Sequence, residues 1–203
     1  WSGKINIIVI SIAMGMTISL IPTIVNAFTL KDYKEVNRKI NTSLKMIIFI
    51  SLPLAIGLSM LSKQVWSVFY GPSDIGSTIL SLSVFVVVSL NIYMVRSSII
   101  QGLNKFKIVC ISAISGFVAN ALLDVPIMLL FNYIGIPSYL GALTASIIGY
   151  LLSSFIALKS LKSKEISYQD TFKAILKILV PALSLVLVLI ILKVIPYNIN
   201  SKF

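Results

Sequence analysis

Six long apolar runs divide this chain, at roughly 5–28, 46–62, 77–101, 108–131, 138–158 and 175–195. A helix needs about 20 mainly apolar residues to cross a bilayer. Inside lipid every backbone polar group must be paired within the protein, so runs of this kind span as helices. The expectation is an all-α fold, a polytopic integral membrane bundle of about six transmembrane helices. Helices buried in a large soluble protein would mostly carry a polar face, and these runs have almost none. Only 11% of the 203 residues are charged and 58% are hydrophobic, against about 25% charged in an ordinary soluble domain.

The net charge of +11 would suggest nucleic acid if the cations clustered on a soluble surface. Here they fall between the runs, which reads as membrane orientation. Lys31, Lys34, Arg38, Lys39 and Lys45 follow the first run. Arg96, Lys105 and Lys107 surround the turn between the third and fourth. Lys159, Lys162, Lys164, Lys173 and Lys177 lie between the fifth and sixth. Only Lys4, Lys63, Lys193 and Lys202 fall on the other side. The positive-inside rule then places the three basic loops in the cytoplasm and both ends of the chain outside, in a cell membrane.

The first basic stretch, "FTLKDYKEVNRKINTSLK", has internal order. Thr29 and Asp32 fit a capping box, with Phe28 and Tyr33 as a hydrophobic staple. Tyr33, Val36, Ile40 and Leu44 recur at spacings of one helical turn, and the cations occupy the other faces. This predicts an amphipathic helix over 30–44 lying in the membrane interface. A second interfacial segment, "KQVWSVFYG", follows the second run.

Pro22, Pro53, Pro126 and Pro181 fall inside four of the runs, where each removes a backbone hydrogen bond and favours a kink. Gly141, Ala145 and Gly149 repeat at a spacing of four, a pattern that lets another helix approach closely.

Two ionisable residues interrupt apolar runs, Arg96 and Asp124. Each costs about 2.5–3.5 kcal/mol on insertion scales, so each should face a cavity or a partner. Asn120 and Asp124 are one turn apart and share a face with Ser112 and Gly116. Such a stripe lines a wet cavity or meets another helix. Arg96 lies toward the basic end of its run and Asp124 toward the other end of its own, an axial gap of about 15–20 Å. Arg96 either binds an anionic group or snorkels to the interface. Asp124 either serves a cavity or ties helices together.

The sequence contains no histidine, so a histidine-based metal site or triad is excluded. Cys110 is the single cysteine and has no internal partner. No phosphate-binding loop or zinc-protease motif appears, and nothing points to an enzyme, a cofactor or a bound metal. Trp1 opens the sequence without a charged start or a small-residue cleavage site. The expectation is an internal piece of a longer protein.

Three segments, taken in order, give a resemblance. They are "IPTIVNAFTLKDYKEVNRKINTSLKMIIFISLPLAIGLSMLSKQVWSVFYG", "IIQGLNKFKI" and "LLDVPIMLLFNYIGIPSYLGALTASIIGYLLS". They resemble the C-terminal part of the bacterial lipid-linked oligosaccharide and lipid II flippases, in the multidrug/oligosaccharidyl-lipid/polysaccharide exporter superfamily, and in particular the stage V sporulation protein B-like group. The resemblance implies that residues 1–203 form most of the second lobe of a two-lobe transporter whose N-terminal lobe is missing here. It implies alternating access around a central cavity, membrane lipids as surroundings, and a lipid-linked saccharide or peptidoglycan precursor as substrate. Arg96, Asn120 and Asp124 are the candidate substrate or cavity residues; nucleic acid is not an expected partner. A drug/cation antiporter of the same superfamily, for which an acidic cavity residue is expected, is the alternative reading. A non-transporting membrane scaffold subunit is another.

Overall fold

Hydrocarbon leaves a backbone no partner but itself, and the apolar runs meet that demand as helices. The computed structural model describes residues 2–161, with six helices in chain order: α1 (Ser2–Thr29), α2 (Tyr33–Met60), α3 (Ser62–Tyr70), α4 (Asp74–Gly102), α5 (Phe106–Ile134) and α6 (Tyr139–Leu161). Five of these, all but the nine-residue α3, are long and apolar enough to cross a membrane. The run at 175–195, with Pro181 inside it, and the cations from Lys162 onward lie outside the described residues.

Three of the reversals use one device. Lys31 and Asn104 adopt positive φ, both 57°, and Gly135 does so at 81°. Each left-handed residue lets the following N–H reach back five residues: Asp32 to the Ala27 carbonyl at 3.0 Å, Lys105 to Ile100 at 3.1 Å and Ile136 to Phe131 at 2.8 Å. The bond closes the helix end and turns the chain back on itself.

α4 is the centre and touches every other helix. α1 and α2 pack on one side of it, α6 on another, and α5 is attached mainly through α6. The α1–α2 turn, the α4–α5 turn and the end of α6 therefore share one end of the bundle, the basic end. There Ile24, Val36, Ile40, Leu44, Ile99 and Leu103 form the larger apolar core. A smaller core at the opposite end joins Ile5, Ala55, Leu80, Val84 and Val88, with Trp66 and Tyr70 of α3 packed against it.

The structure corrects two local expectations. The stretch 30–44 is not a separate interfacial helix: it is the first half of α2, which runs unbroken through Pro53 to Met60. Val36, Ile40 and Leu44 are buried in the protein core, where they continue into Ile47, Ile48 and Ala55. The stripe is apolar because it meets α1 and α4, and packing of that stripe extends the helix past its lysines. The cap also moves. Thr29 ends α1, its hydroxyl donating to the Asn26 carbonyl at 2.9 Å. Asp32 is the residue that caps α2, accepting from the Glu35 N–H at 3.0 Å. Phe28 and Tyr33 do meet, edge to face at 6.2 Å.

Candidate functional site

Two of the three candidate side chains, Arg96 and Asn120, bond to α6, and Asp124 lies beside Asn120. Arg96 is half-buried on α4, and its Nη1 donates to the Ser154 carbonyl at 3.2 Å and to the Ser154 hydroxyl. That contact ties α4 to α6.

Asn120 and Asp124 occupy successive turns of α5, both half-buried. The Asn120 amide has two orientations. One sets Nδ2 on the Ser146 hydroxyl at 3.1 Å and leaves its oxygen facing the Asp124 carboxylate. The other lets Nδ2 donate to both Asp124 oxygens at 3.2 Å while Oδ1 accepts from Ser146 Oγ at 3.1 Å. The second is favoured physically, because it replaces an oxygen–oxygen repulsion with charge-assisted hydrogen bonds. Asn120 thus relays Asp124 to α6. Ser146 and Ser154 are eight residues apart on α6, about 12 Å along the axis, so the two charges sit at separate levels.

Small residues bring α5 and α6 into that contact. A Cβ on Gly116 would meet the Gly149 carbonyl at 2.7 Å, and one on Gly149 would meet the Gly116 carbonyl at 2.9 Å. A Cβ on Gly141 would meet the Met128 backbone at 2.8 Å. Ala145 is fully buried in the same line. Backbone meets backbone here, the expected use of this spacing in a membrane. Beside it, between α4 and α5 and floored by α6, is a cleft of about 200 Å³ lined by Tyr93, Asn120, Tyr150 and Ser153 among others. It offers hydroxyl and amide groups within an otherwise apolar surface.

Two polar features went unremarked in the sequence reading. The first is glue between α1 and α4: Asn6 donates to the Ser83 hydroxyl at 3.0 Å, and the fully buried Asn91 donates to the Val9 carbonyl at 3.1 Å. The cost argument that singles out Asp124 applies to a buried asparagine as well, so the signal was present. The second is a stripe on α1, where Ser11, Gly15, Ser19, Thr23 and Asn26 are all exposed. Its spacing of three and four was legible; its exposure was not. At the basic end this stripe runs into a cleft of about 200 Å³ lined by Thr23, Arg38, Lys39 and Thr42. Glu35 holds Arg38 through two bonds of 2.6 Å and Lys39 at 3.4 Å. Among the described residues no group of three or more carboxylates or thiols converges as a metal site.

Comparison with known proteins places this arrangement. The MatE family matches residues 2–125, more than half of the sequence. The chain belongs to the MatE family. It is 33% identical over 163 residues to the lipid II flippase MurJ of Bacillus subtilis (strain 168), an alignment that covers 77% of this chain and 29% of that protein. It also resembles a solved structure of lipid II flippase MurJ in an inward closed conformation, with a TM-score of 0.74 at 22% identity, over 98% of this chain and 41% of that one. The latter likeness shows the fold. The chain spans well under half the length of either. A MatE-family bundle of five membrane-length helices makes this a multi-pass membrane protein.

Proposed function

We propose that this chain is part of a membrane flippase, which moves a lipid-linked oligosaccharide or peptidoglycan precursor across the cell membrane by alternating access. The likeness to a lipid II flippase over 77% of the chain carries the reading. The α1 stripe supports it. A membrane-length helix that exposes Ser11, Ser19, Thr23 and Asn26 along one side is poorly matched to lipid tails and well matched to a polar route. In this reading the route runs between the α1 face and a further N-terminal lobe of the same protein, and Arg38 and Lys39 stand at its basic end. The three basic segments face the cytoplasm. Arg96 and the Asn120–Asp124 pair set the position of α6 against α4 and α5, so the proposed site depends on them through geometry. The protein acts as a transporter rather than an enzyme.

The test is a flipping assay on the full-length protein in liposomes, with a fluorescent undecaprenyl-linked saccharide and headgroup accessibility as readout. Transport is expected, and Thr23→Leu with Asn26→Leu should reduce it severalfold at unchanged expression. Failure to move the lipid, with efflux of cationic drugs instead, would replace the flippase reading by that of an antiporter. Cysteines at Lys34 and Ser138 check the orientation: the first should resist impermeant labelling of intact cells and the second should label.

A further inference from the structure

A cavity of about 490 Å³ opens at the end of the bundle opposite the basic turns. It lies where α2 ends, α3 crosses and α4 begins, away from α5 and α6. Ser59, Ser62, Gln64, Ser77, Thr78 and Ser81 give it a lining of hydroxyls and one amide. Several of those hydroxyl protons are already committed. Ser77 and Thr78 donate to the Asp74 carbonyl at 3.0 and 2.8 Å, and Ser81 donates to the Thr78 carbonyl at 2.8 Å. What these three oxygens still offer is lone pairs, a surface that suits an N–H-rich cation.

Lys63 also lines the cavity, and its Nζ sits 3.0 Å from Asp74 Oδ1. The two side chains are 75% and 90% exposed, and an ion pair so open to solvent holds its partners weakly. One cation and one anion thus stand side by side at the rim, each available to a ligand of the opposite sign. The depth is informative. α2 ends at Met60 and the apolar course of α4 starts at Asp74, so the cavity lies at the level of headgroups whichever way the protein faces. α3 carries Trp66, Phe69 and Tyr70, residues typical of membrane interfaces, and leaves Val68 81% and Phe69 64% exposed.

We propose that this cavity holds the headgroup of a zwitterionic phospholipid of the phosphoethanolamine type. The phosphate takes Lys63; the primary ammonium takes Asp74 and the acceptor oxygens of Ser77, Thr78 and Ser81. The acyl chains lie against the exposed apolar surface of α3. A quaternary ammonium has no N–H to give those acceptors. A headgroup bearing only a phosphate charge meets Asp74 as a repulsion. The site therefore distinguishes phosphatidylethanolamine from phosphatidylcholine and phosphatidylglycerol. This lipid is a resident of the protein's rim and is separate from the substrate proposed above.

Native mass spectrometry of the purified full-length protein tests it, with the three dioleoyl lipids titrated at equal concentration. Phosphatidylethanolamine adducts should exceed the other two by about threefold or more, the scale of one exposed charged contact. Asp74→Asn should abolish that preference, and Lys63→Gln, which removes the contact to the phosphate that all three lipids share, should lower the adducts of all three alike; both should melt at the wild-type temperature in detergent. Should Asp74→Asn disturb the first turn of α4, Thr78→Val, which removes one of the acceptor oxygens that line the cavity, should lower the preference in a folded protein. Equal adducts of all three lipids, or a preference that survives Asp74→Asn (or Thr78→Val, where Asp74→Asn does not fold), would overturn the proposal.

Discussion

The hairpins α1–α2 and α5–α6 solve the same packing problem in opposite ways. Both turn through a left-handed residue, and both contain a proline within a helix. α1 and α2 meet through large aliphatics such as Ile24, Val36, Ile40 and Leu44, and their outer surface mixes the hydroxyl stripe of α1 and the exposed Lys34 and Arg38 of α2 with apolar residues such as Ile8, Ile18 and Phe49. α5 and α6 meet through glycine, alanine and serine, with backbone against backbone. Between Lys107 and Asn132 the outer surface of α5 is apolar: Ile111, Ile114, Phe117, Leu122, Val125 and Leu129 are each at least 60% exposed. Lipid tails are as apolar as leucine, so apolar side chains gain little by facing one another rather than lipid, and close fit must supply the attraction. The α5–α6 hairpin is built for a hydrocarbon surrounding. The α1–α2 hairpin has an aliphatic core like that of a water-soluble protein, and in the proposed reading its exposed stripe of Ser11, Ser19, Thr23 and Asn26 lines the polar route.

The largest test of that contrast is Ile40→Asp. Ile40 is fully buried between α1, α2 and α4, so a carboxylate there loses the packing and is left unpaired, a cost of about 3 kcal/mol or more. Folded yield in detergent should collapse. Asn41→Asp, one position along and half-buried, should be mild. Equal effects would mean that the stripe of α2 does not organise the hairpin.

Valine placed at Gly116 is the next largest. Its Cβ must push against the Gly149 carbonyl, which belongs to a helix backbone and cannot rotate away. Overpacking of this kind costs about 1–3 kcal/mol, visible as a lower melting temperature. Gly15→Val on α1, where nothing lies within 4 Å of the new Cβ, should leave melting unchanged; in the full-length protein it should instead reduce transport. A loss of stability from Gly15→Val comparable to that from Gly116→Val would erase the distinction between the two hairpins.

Sequence reasoning reached the helices because hydrocarbon allows so few alternatives. It reached the small-residue contact of Gly141, Ala145 and Gly149, and the shared face of Asn120 and Asp124, because a period of 3.6 fixes which residues sit together. It misjudged where α2 begins. Lys31, Lys34, Arg38 and Lys39 interrupt the apolar run, yet a helix whose buried stripe passes from Val36 through Leu44 to Ala55 is indifferent to charges on its other faces. It also could not say which way a face points. α1 and α5 are both apolar overall, and only their packing shows that one exposes a hydroxyl stripe beside its isoleucines and the other a largely apolar face. The cavity under α3 was beyond reach for a related reason: its lining comes from three helices, and each hydroxyl taken alone is unremarkable in a membrane span.

The smallest effect sharpens the comparison most, because it concerns the one acidic side chain in the α5–α6 hairpin. If Asp124 serves only to hold Asn120 toward Ser146, then Asp124→Asn keeps a hydrogen-bonding group on the same turn and stability should scarcely change. Asp124→Leu removes the partner, and melting should fall by the equivalent of about 0.6 kcal/mol, up to about 1.7, the range measured for side-chain hydrogen bonds between membrane helices. Transport by the full-length protein should then track stability across both variants. The alternative is a carboxylate that must ionise or exchange a proton during each cycle. In that case Asp124→Asn, although it folds like the wild type, should abolish transport. Melting temperature and flipping rate measured on the same preparations separate the two. A stable, inactive Asp124→Asn would make α5 more than a lipid-facing rim, and the division between a wet α1 face and a dry α5 face would have to be redrawn around Asp124.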